Sequence, residues 1–272
     1  MISLKERLDS VLVKRGFFSS REKAKASVMA GLVTVGGQMA YKAGMQVDPG
    51  EEISIKEDAC PYVGRGGLKL KKALDVFKID LKGKTAIDMG ASTGGFTDCM
   101  LKAGAAKVYA IDVGYGQLDW KLRNDKRVIN IERTNIRYMD HDHISEEADF
   151  ISIDVSFISV NLIFPKAAMF LKEDGNILCL VKPQFEAGRD QVGKKGIVRD
   201  KKVHEEVIKK VIGYGKDARL FPAGLTYSPI KGAGGNIEYL LFLKKNDHEA
   251  VSENEETSIN IEKTVGESNE II

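Results

Sequence analysis

The chain has 272 residues, 43% hydrophobic and 29% charged, the balance of a soluble protein of one or two domains with a sizeable core. Its net charge of +2 hides an asymmetry: from Asn246 to Ile272 eight acids face Lys263 alone, so that segment carries −7 and the rest +9. Cys60, Cys99 and Cys179 are widely spaced with no C-x-x-C, so neither a zinc site nor a disulfide framework is indicated. No apolar run approaches the roughly 18 residues of a membrane span.

The start, Met1-Ile-Ser-Leu-Lys-Glu-Arg-Leu, turns charged at once and has no apolar h-region, so the expected location is the cytoplasm, with no membrane association. Residues 1–58 read as a small α+β domain. Ser3-Leu-Lys-Glu6 and Ser19-Ser-Arg-Glu22 are capping boxes that open two short helices, the first carrying Leu4, Leu8, Val11 and Leu12 at helical spacing. Gly16 and Gly31 end them. Leu32-Val-Thr-Val-Gly-Gly-Gln-Met reads as a hairpin, and Asp48-Pro-Gly50 turns into a further strand at Glu52–Ile55. Lys5, Arg7, Lys14, Arg15, Arg21, Lys23 and Lys25 cluster here. They read either as a phosphate-binding face at a helix start or as a solvated one. Ser20-Arg-Glu-Lys-Ala-Lys, Gly31-Leu-Val-Thr-Val-Gly-Gly and Val47-Asp-Pro-Gly-Glu-Glu-Ile53 resemble the RNA-binding module of small-subunit ribosomal protein four, also found in pseudouridine synthases (the α-L motif).

Residues 59–67, rich in Gly and Pro, read as a linker. From 68 to 245 strands and helices alternate. Strands are expected at Thr85–Met89, Val108–Asp112, Val128–Glu132, Phe150–Asp154, Ile177–Val181, Leu225–Ser228 and Ile237–Leu243, and helices at Leu68–Phe77, Phe96–Ala103, Gln117–Arg123, Val160–Phe170 and Asp200–Tyr214. This pattern is α/β: a doubly wound, mostly parallel seven-stranded sheet. The last two strands have too little chain between them for a helical crossover, so one is antiparallel. Residues 246–272, acidic and poor in apolar residues, are expected to be disordered.

Ala86-Ile-Asp-Met-Gly-Ala-Ser-Thr-Gly-Gly-Phe-Thr97 runs from a strand through a glycine turn into a helix, where α/β sheets bind ligands. Gly90, Gly94 and Gly95 permit close backbone approach. The spacing is not G-x-G-x-x-G, and Asp88 opposes a pyrophosphate; it suits a cationic, amine-bearing ligand such as S-adenosylmethionine. Asp112 ends the next strand, where an acid can accept from ribose hydroxyls, and Asn135, beyond the third strand, is placed to touch adenine. The other reading is a tight turn with no ligand. Asp88-x-Gly90-x-Ser92-Thr93-Gly94-Gly95-Phe96-Thr97 resembles the cofactor motif of the class I, Rossmann-like methyltransferases, above all the ribose 2′-O enzymes of the FtsJ type.

Asp154 and Lys182 end the fourth and fifth strands, and parallel strands bring them to one edge of the sheet. With Lys69, on the helix before the first strand, and Glu238, at the entry to the last, they resemble the K-D-K-E tetrad of the FtsJ-type enzymes. The overall resemblance, over residues 1 to about 245, is to the TlyA (hemolysin A-like) family of rRNA cytidine 2′-O-methyltransferases. It is carried further by Gly64-Arg65-Gly-Gly-Leu-Lys69, Asp154-Val-Ser-Phe-Ile-Ser159, Lys182-Pro-Gln-Phe-Glu186 and Gly232-Ala-Gly-Gly-Asn-Ile-Glu238. It implies S-adenosylmethionine as cofactor and ribosomal RNA or ribosomal subunits as partner; the residues themselves indicate no metal site, and no obligate protein partner is expected. Arg65 and the basic loop around Lys194 and Lys195 join the expected RNA contacts.

A ribose hydroxyl is a poor nucleophile. Either Lys182 removes its proton, once Lys69 and burial favour the neutral amine, or charged lysines stabilise the developing alkoxide. Amine methylation fits less well, since Asp154-Val-Ser-Phe157 lacks the D/N-P-P-Y/F pattern. C5 methylation needs a nucleophilic cysteine, and Cys179 lies inside an apolar strand. Two rival readings remain: a pore-forming hemolysin, which would need export and amphipathic membrane segments, and an RNA-binding assembly factor with an inactive catalytic domain. His141 and His143 read as an exposed loop, and Trp120 as packing a helix onto the sheet.

Overall fold

The computed structural model describes residues 5–18, 20–29, 31–40, 42–55, 60–245 and 259–271, in two units, Met1–Pro61 and Tyr62–Ile272. Ser3 and Ser19 of the capping boxes, the side chain of Lys23 and residues 246–258 of the acidic segment lie outside the described residues.

In the first unit β1 (Glu6–Arg7) precedes α1 (Leu8–Lys14), followed by α2 (Arg21–Met29), β2 (Val33–Val35), β3 (Gln38–Met39), β4 (Gln46–Val47) and β5 (Ile53–Ile55). The helix starts later than Ser3 predicts because Glu6 and Arg7 pair antiparallel with Val47 and Gln46. Strand β2 pairs with β3 and β5. Gly36 and Gly37, at φ +56° and +77°, form the tight turn of the β2–β3 hairpin, where left-handed backbone suits the strand twist. Leu8, Val11, Leu12, Ala24, Val28 and Val33 fill the core.

The second unit holds seven strands: β6 (Thr85–Met89), β7 (Lys107–Ile111), β8 (Val128–Ile131), β9 (Ala148–Ile153), β10 (Leu171–Val181), β11 (Phe221–Tyr227) and β12 (Tyr239–Lys244). Their order is β11-β12-β10-β9-β6-β7-β8. All neighbours from β8 to β10 are parallel, and β12 runs antiparallel to both β10 and β11, the reversal expected at this end of the sheet. Period-two alternation divides the core. Ala86, Val108, Phe150, Leu178 and Leu240 meet α3 (Gly66–Phe77) and α4 (Gly95–Lys102) through Leu70, Leu74, Cys99 and Met100. Ile87, Ile111, Ile151, Cys179 and Leu241 face α6 (Phe164–Phe170) and α8 (Lys201–Asp217) through Phe164, Phe170, Val207 and Val211.

Three expectations need correction. Gly66 and Gly67 belong to α3 rather than to a linker. The helix expected at Gln117–Arg123 is only α5 (Trp120–Arg123), and it buries Leu122, leaving Trp120 75% exposed instead of packed. The acidic segment is not uniformly disordered: Ile261–Ile271 forms α9 (α7, Pro183–Glu186, having preceded α8). Its Thr264, Val265 and Ser268 share one buried face at helical spacing, and Ser268 Oγ lies 3.3 Å from the buried Tyr239 Oη. No helix among the described residues is long and apolar enough to cross a membrane.

Candidate active site

The carboxyl edge of the sheet is where the chemistry-bearing residues meet. Strand β6 ends at Met89, and the chain turns over it at Gly90, φ +94°, where a Cβ would stand 2.5 Å from the Asp154 carbonyl oxygen. Only glycine lets the turn lie against the end of β9. Asp154 N–H in turn donates to the Met89 carbonyl at 2.9 Å. Gly95 serves packing: its missing Cβ would lie 3.0 Å from the Gly64 carbonyl oxygen and the Gly67 nitrogen, so the Gly64–Gly67 stretch and the glycine turn need one another's small size.

An open cleft of about 480 Å³ lies over this edge, lined by Gly90, Ser92, Asp112, Asn135 and the run from Asp154 to Ile158, with Val113 and Ile136 as apolar wall. That volume is in the usual range for a small-molecule site. Asp112 accepts from Ser92 N–H at 2.8 Å with one oxygen and from Gly114 N–H at 2.7 Å with the other. Each carboxylate oxygen keeps a second lone pair, enough for the paired hydroxyls of a ribose. Asn135 Oδ1 caps Ile136–Tyr138 by accepting from Arg137 N–H at 3.1 Å. Apolar wall, paired acceptor and amide together fit the nucleoside part of S-adenosylmethionine.

Four of the predicted cofactor residues, Gly90, Ser92, Asp112 and Asn135, line the cleft. Thr93, Gly94, Gly95, Phe96 and Asp88 are not among its lining residues. Asp88 is fully buried, and its oxygens accept from Thr97 Oγ1 at 2.7 Å and Ser152 Oγ at 2.9 Å. It ties the turn to the sheet beneath, and burial pushes its carboxyl up to about 6 despite the two hydroxyl donors. Phe96 is in the core, and a Cβ on Gly94 would overlap Leu122 and Leu118.

The four tetrad residues form two ion pairs. Lys69 Nζ stands 2.6 Å from Glu238 Oε2, and Lys182 Nζ stands 2.5 Å from Asp154 Oδ1. Lys182 Nζ also lies 2.9 Å from Ser156 Oγ. The sheet register makes them neighbours: Val181 pairs with Tyr239, so Lys182 and Glu238 follow and precede the same rung, while Asp154 leaves the adjoining strand β9. Lys69, Lys182 and Glu238 are all under 9% exposed, and a Cβ on Gly232 would overlap the Glu238 carboxylate.

Ser156 and Phe157 lay inside the motif quoted for Asp154, and sequence reasoning gave neither a role. Phe157 is 90% exposed, sits at φ +64°, and its ring centre lies 5.0 Å from that of Phe185. Cys179 is fully buried, and burial holds its thiol well above its usual range. Among the predicted RNA contacts, Lys5, Lys25, Arg65, Lys194 and Lys195 are exposed. Arg7 and Arg21 are held by the buried Asp9 at 2.8 and 2.9 Å, Lys14 pairs with Glu6 at 2.5 Å, and Arg15 donates to the Glu51 carbonyl at 2.8 Å. These four are therefore partly occupied within their own unit.

The model of the FtsJ-like methyltransferases matches residues 62–245, and that of the S4 domain matches residues 6–53. The chain is 39% identical over 247 residues to the Mycobacterium tuberculosis protein named 16S/23S rRNA (cytidine-2′-O)-methyltransferase TlyA, covering 90% of this chain and 92% of that one. It is 42% identical over 238 residues to hemolysin A of Brachyspira hyodysenteriae, covering 86% and 98%. A solved Streptococcus thermophilus structure carrying a hemolysin designation superposes with a TM-score of 0.76 at 45% identity, covering 99% of this chain and 97% of that one. The chain belongs to the TlyA family, in which an S4 domain precedes an FtsJ-like methyltransferase domain.

Proposed function

We propose that the chain, working in the cytoplasm, transfers a methyl group from S-adenosylmethionine to the ribose 2′-hydroxyl of a cytidine in ribosomal RNA. The carrying observation is the pair of neighbouring ion pairs, Lys69–Glu238, which is buried, and Lys182–Asp154, whose carboxylate lines the same cleft as Asp112. S-adenosylmethionine supplies an electrophilic methyl group on a sulfonium. Gly90, Ser92, Asp112 and Asn135 would hold it. Ribose positioning then provides much of the acceleration, since the attacking oxygen must lie in line with the bond that breaks.

Each lysine is matched by a carboxylate, which favours the cationic reading over the neutral one. Lys182 Nζ is paired with Asp154 and donates to Ser156, and as a three-donor ammonium it has capacity for the reacting oxygen as well. In that role Lys182 stabilises the developing alkoxide while the hydroxyl proton passes to solvent water, the oxygen taking the methyl group and the cofactor leaving as the neutral thioether. Phe157 and Phe185 offer an aromatic surface on which an unstacked base can rest. The exposed Lys5, Lys25, Arg65, Lys194 and Lys195 supply phosphate contacts.

The test is labelled methyl transfer to naked rRNA, separate subunits and whole ribosomes, followed by nucleoside analysis. The expected product is 2′-O-methylcytidine; label on a base would overturn the reaction type.

A further inference from the structure

Glu186 closes α7, four residues after Lys182, and is 4% exposed. One of its oxygens accepts from Ser159 Oγ and the other from Val160 N–H, both at 2.8 Å. Its main-chain carbonyl accepts from Lys210 Nζ at 2.9 Å, which fixes α7 to α8. Burial pushes the carboxyl up, against the favourable contacts with Val160, Ser159 and Lys210. Glu186 does not line the cofactor cleft.

Its two donors sit at the far end of the loop that begins at Asp154. That loop holds Asp154 and Ser156, both in contact with Lys182, and Phe157 in left-handed backbone. A non-glycine residue at such a φ persists only where its surroundings over-determine it. The loop is tied at its start by Asp154 N–H on Met89, in its middle by Lys182, and at its end by Glu186. A carboxylate that never touches the cleft thus joins the end of the Asp154 loop to the turn that begins at Lys182.

We propose that Glu186 is a positioning residue for methyl transfer: it fixes the 154–159 loop so that Asp154 and Ser156 hold the Lys182 amine at the reacting oxygen. This rests on the reading of Lys182 given above. Glutamine can do the same work, with its oxygen accepting from Val160 N–H and its amide donating to Ser159 Oγ.

The experiment compares Glu186→Ala, Glu186→Gln, Ser159→Ala and Lys182→Met in the full chain, measuring kcat and KM for rRNA, S-adenosylmethionine affinity by calorimetry, and thermal midpoint. Glu186→Ala is expected to lose about 10–100-fold in kcat, the scale of an ångström of misplacement, with KM for rRNA changed far less. Glu186→Gln is expected to restore kcat to within a few-fold of the wild type. A folded Glu186→Ala protein with wild-type kcat, or a Glu186→Gln protein as impaired as Glu186→Ala, overturns the proposal. Should Glu186→Ala fail to fold, Ser159→Ala decides: a several-fold loss of kcat supports the clamp and an unchanged kcat overturns it. Full activity in Lys182→Met would instead overturn the parent reading, so the two failures are distinct.

Discussion

Lys69 and Glu238, 169 positions apart in the chain, meet at 2.6 Å with both side chains almost wholly out of solvent. A buried pair of this kind is costly to break from one side, since the survivor keeps its desolvation penalty without its partner. Lys69→Met is expected to lower unfolding free energy by about 3–5 kcal/mol and to abolish methyl transfer. Lys69→Met combined with Glu238→Leu should recover most of the stability in a denaturant titration and none of the activity. Recovery of activity in the double variant would show that the pair is only scaffolding.

Lys182 differs from Lys69 because its carboxylate partner, Asp154, lines the cleft at the carboxyl edge of the sheet. Its loss should fall on the transition state and spare cofactor binding. Lys182→Met is expected to reduce kcat by about 10²–10³-fold, the scale of losing one preorganised donor to a developing oxyanion. Calorimetry should find S-adenosylmethionine affinity within a few-fold of the wild type. Retained kcat would remove Lys182 from the chemistry.

Much of this site was legible in the sequence. Asp154 and Lys182 stand out because each charge ends an apolar strand, and parallel strands deliver their ends to one edge. Lys69 and Glu238 carry no such mark, and the family resemblance found them. Asp88 lies apart from the cleft for a physical reason. Its place before Gly90 suggested a ligand, but alternation sends its side chain to the α4 face of the sheet, where it is fully buried and accepts from Thr97 and Ser152. The left-handed φ of Phe157 is set by the loop's attachments at both ends, and no local pattern announces it. Helix α9 was hidden because the charge of the whole segment masks the short buried face of Thr264, Val265 and Ser268.

Asp88 also sets a pH dependence. Its carboxyl rises from 3.8 to about 6 on folding, with burial the main cause. The stability it contributes is therefore fully present below pH 4 and lost as pH rises through 6. Asp88→Asn removes the titration. The stability of the wild type minus that of the variant is expected to fall by up to about 3 kcal/mol between pH 4 and pH 7. Parallel denaturation curves across that range check it, and a difference independent of pH would show that Asp88 is charged throughout.

Val265 tests whether α9 is part of the folded unit. It is fully buried against the layer that holds Val211 and Leu225. Val265→Asp places an unpaired charge there and is expected to lower stability by several kcal/mol, while Glu262→Ala, on an exposed residue of the same helix, should change it by less than about 0.5 kcal/mol. Equal midpoints for the two variants in thermal denaturation would mean that the helix contributes nothing.

Phe157 sets stability against activity. At 90% exposure its ring buries little, so its removal costs little apolar contact beyond Phe185, while φ +64° carries a backbone penalty of about 1–2 kcal/mol that glycine avoids. Glycine also widens the unfolded ensemble, which returns part of that gain. Phe157→Gly is therefore expected to leave the thermal midpoint unchanged or slightly raised, whereas Phe157→Ala, which keeps the strain and loses the ring, should lower it slightly. Both should lose rRNA kcat/KM by about tenfold or more, the scale of one lost base–aromatic stack. A strained aromatic whose removal is harmless to folding and harmful to turnover is held there for its substrate. If both variants turned over rRNA normally, the exposed ring would need another explanation, and the stacking surface assigned to Phe157 and Phe185 would fall.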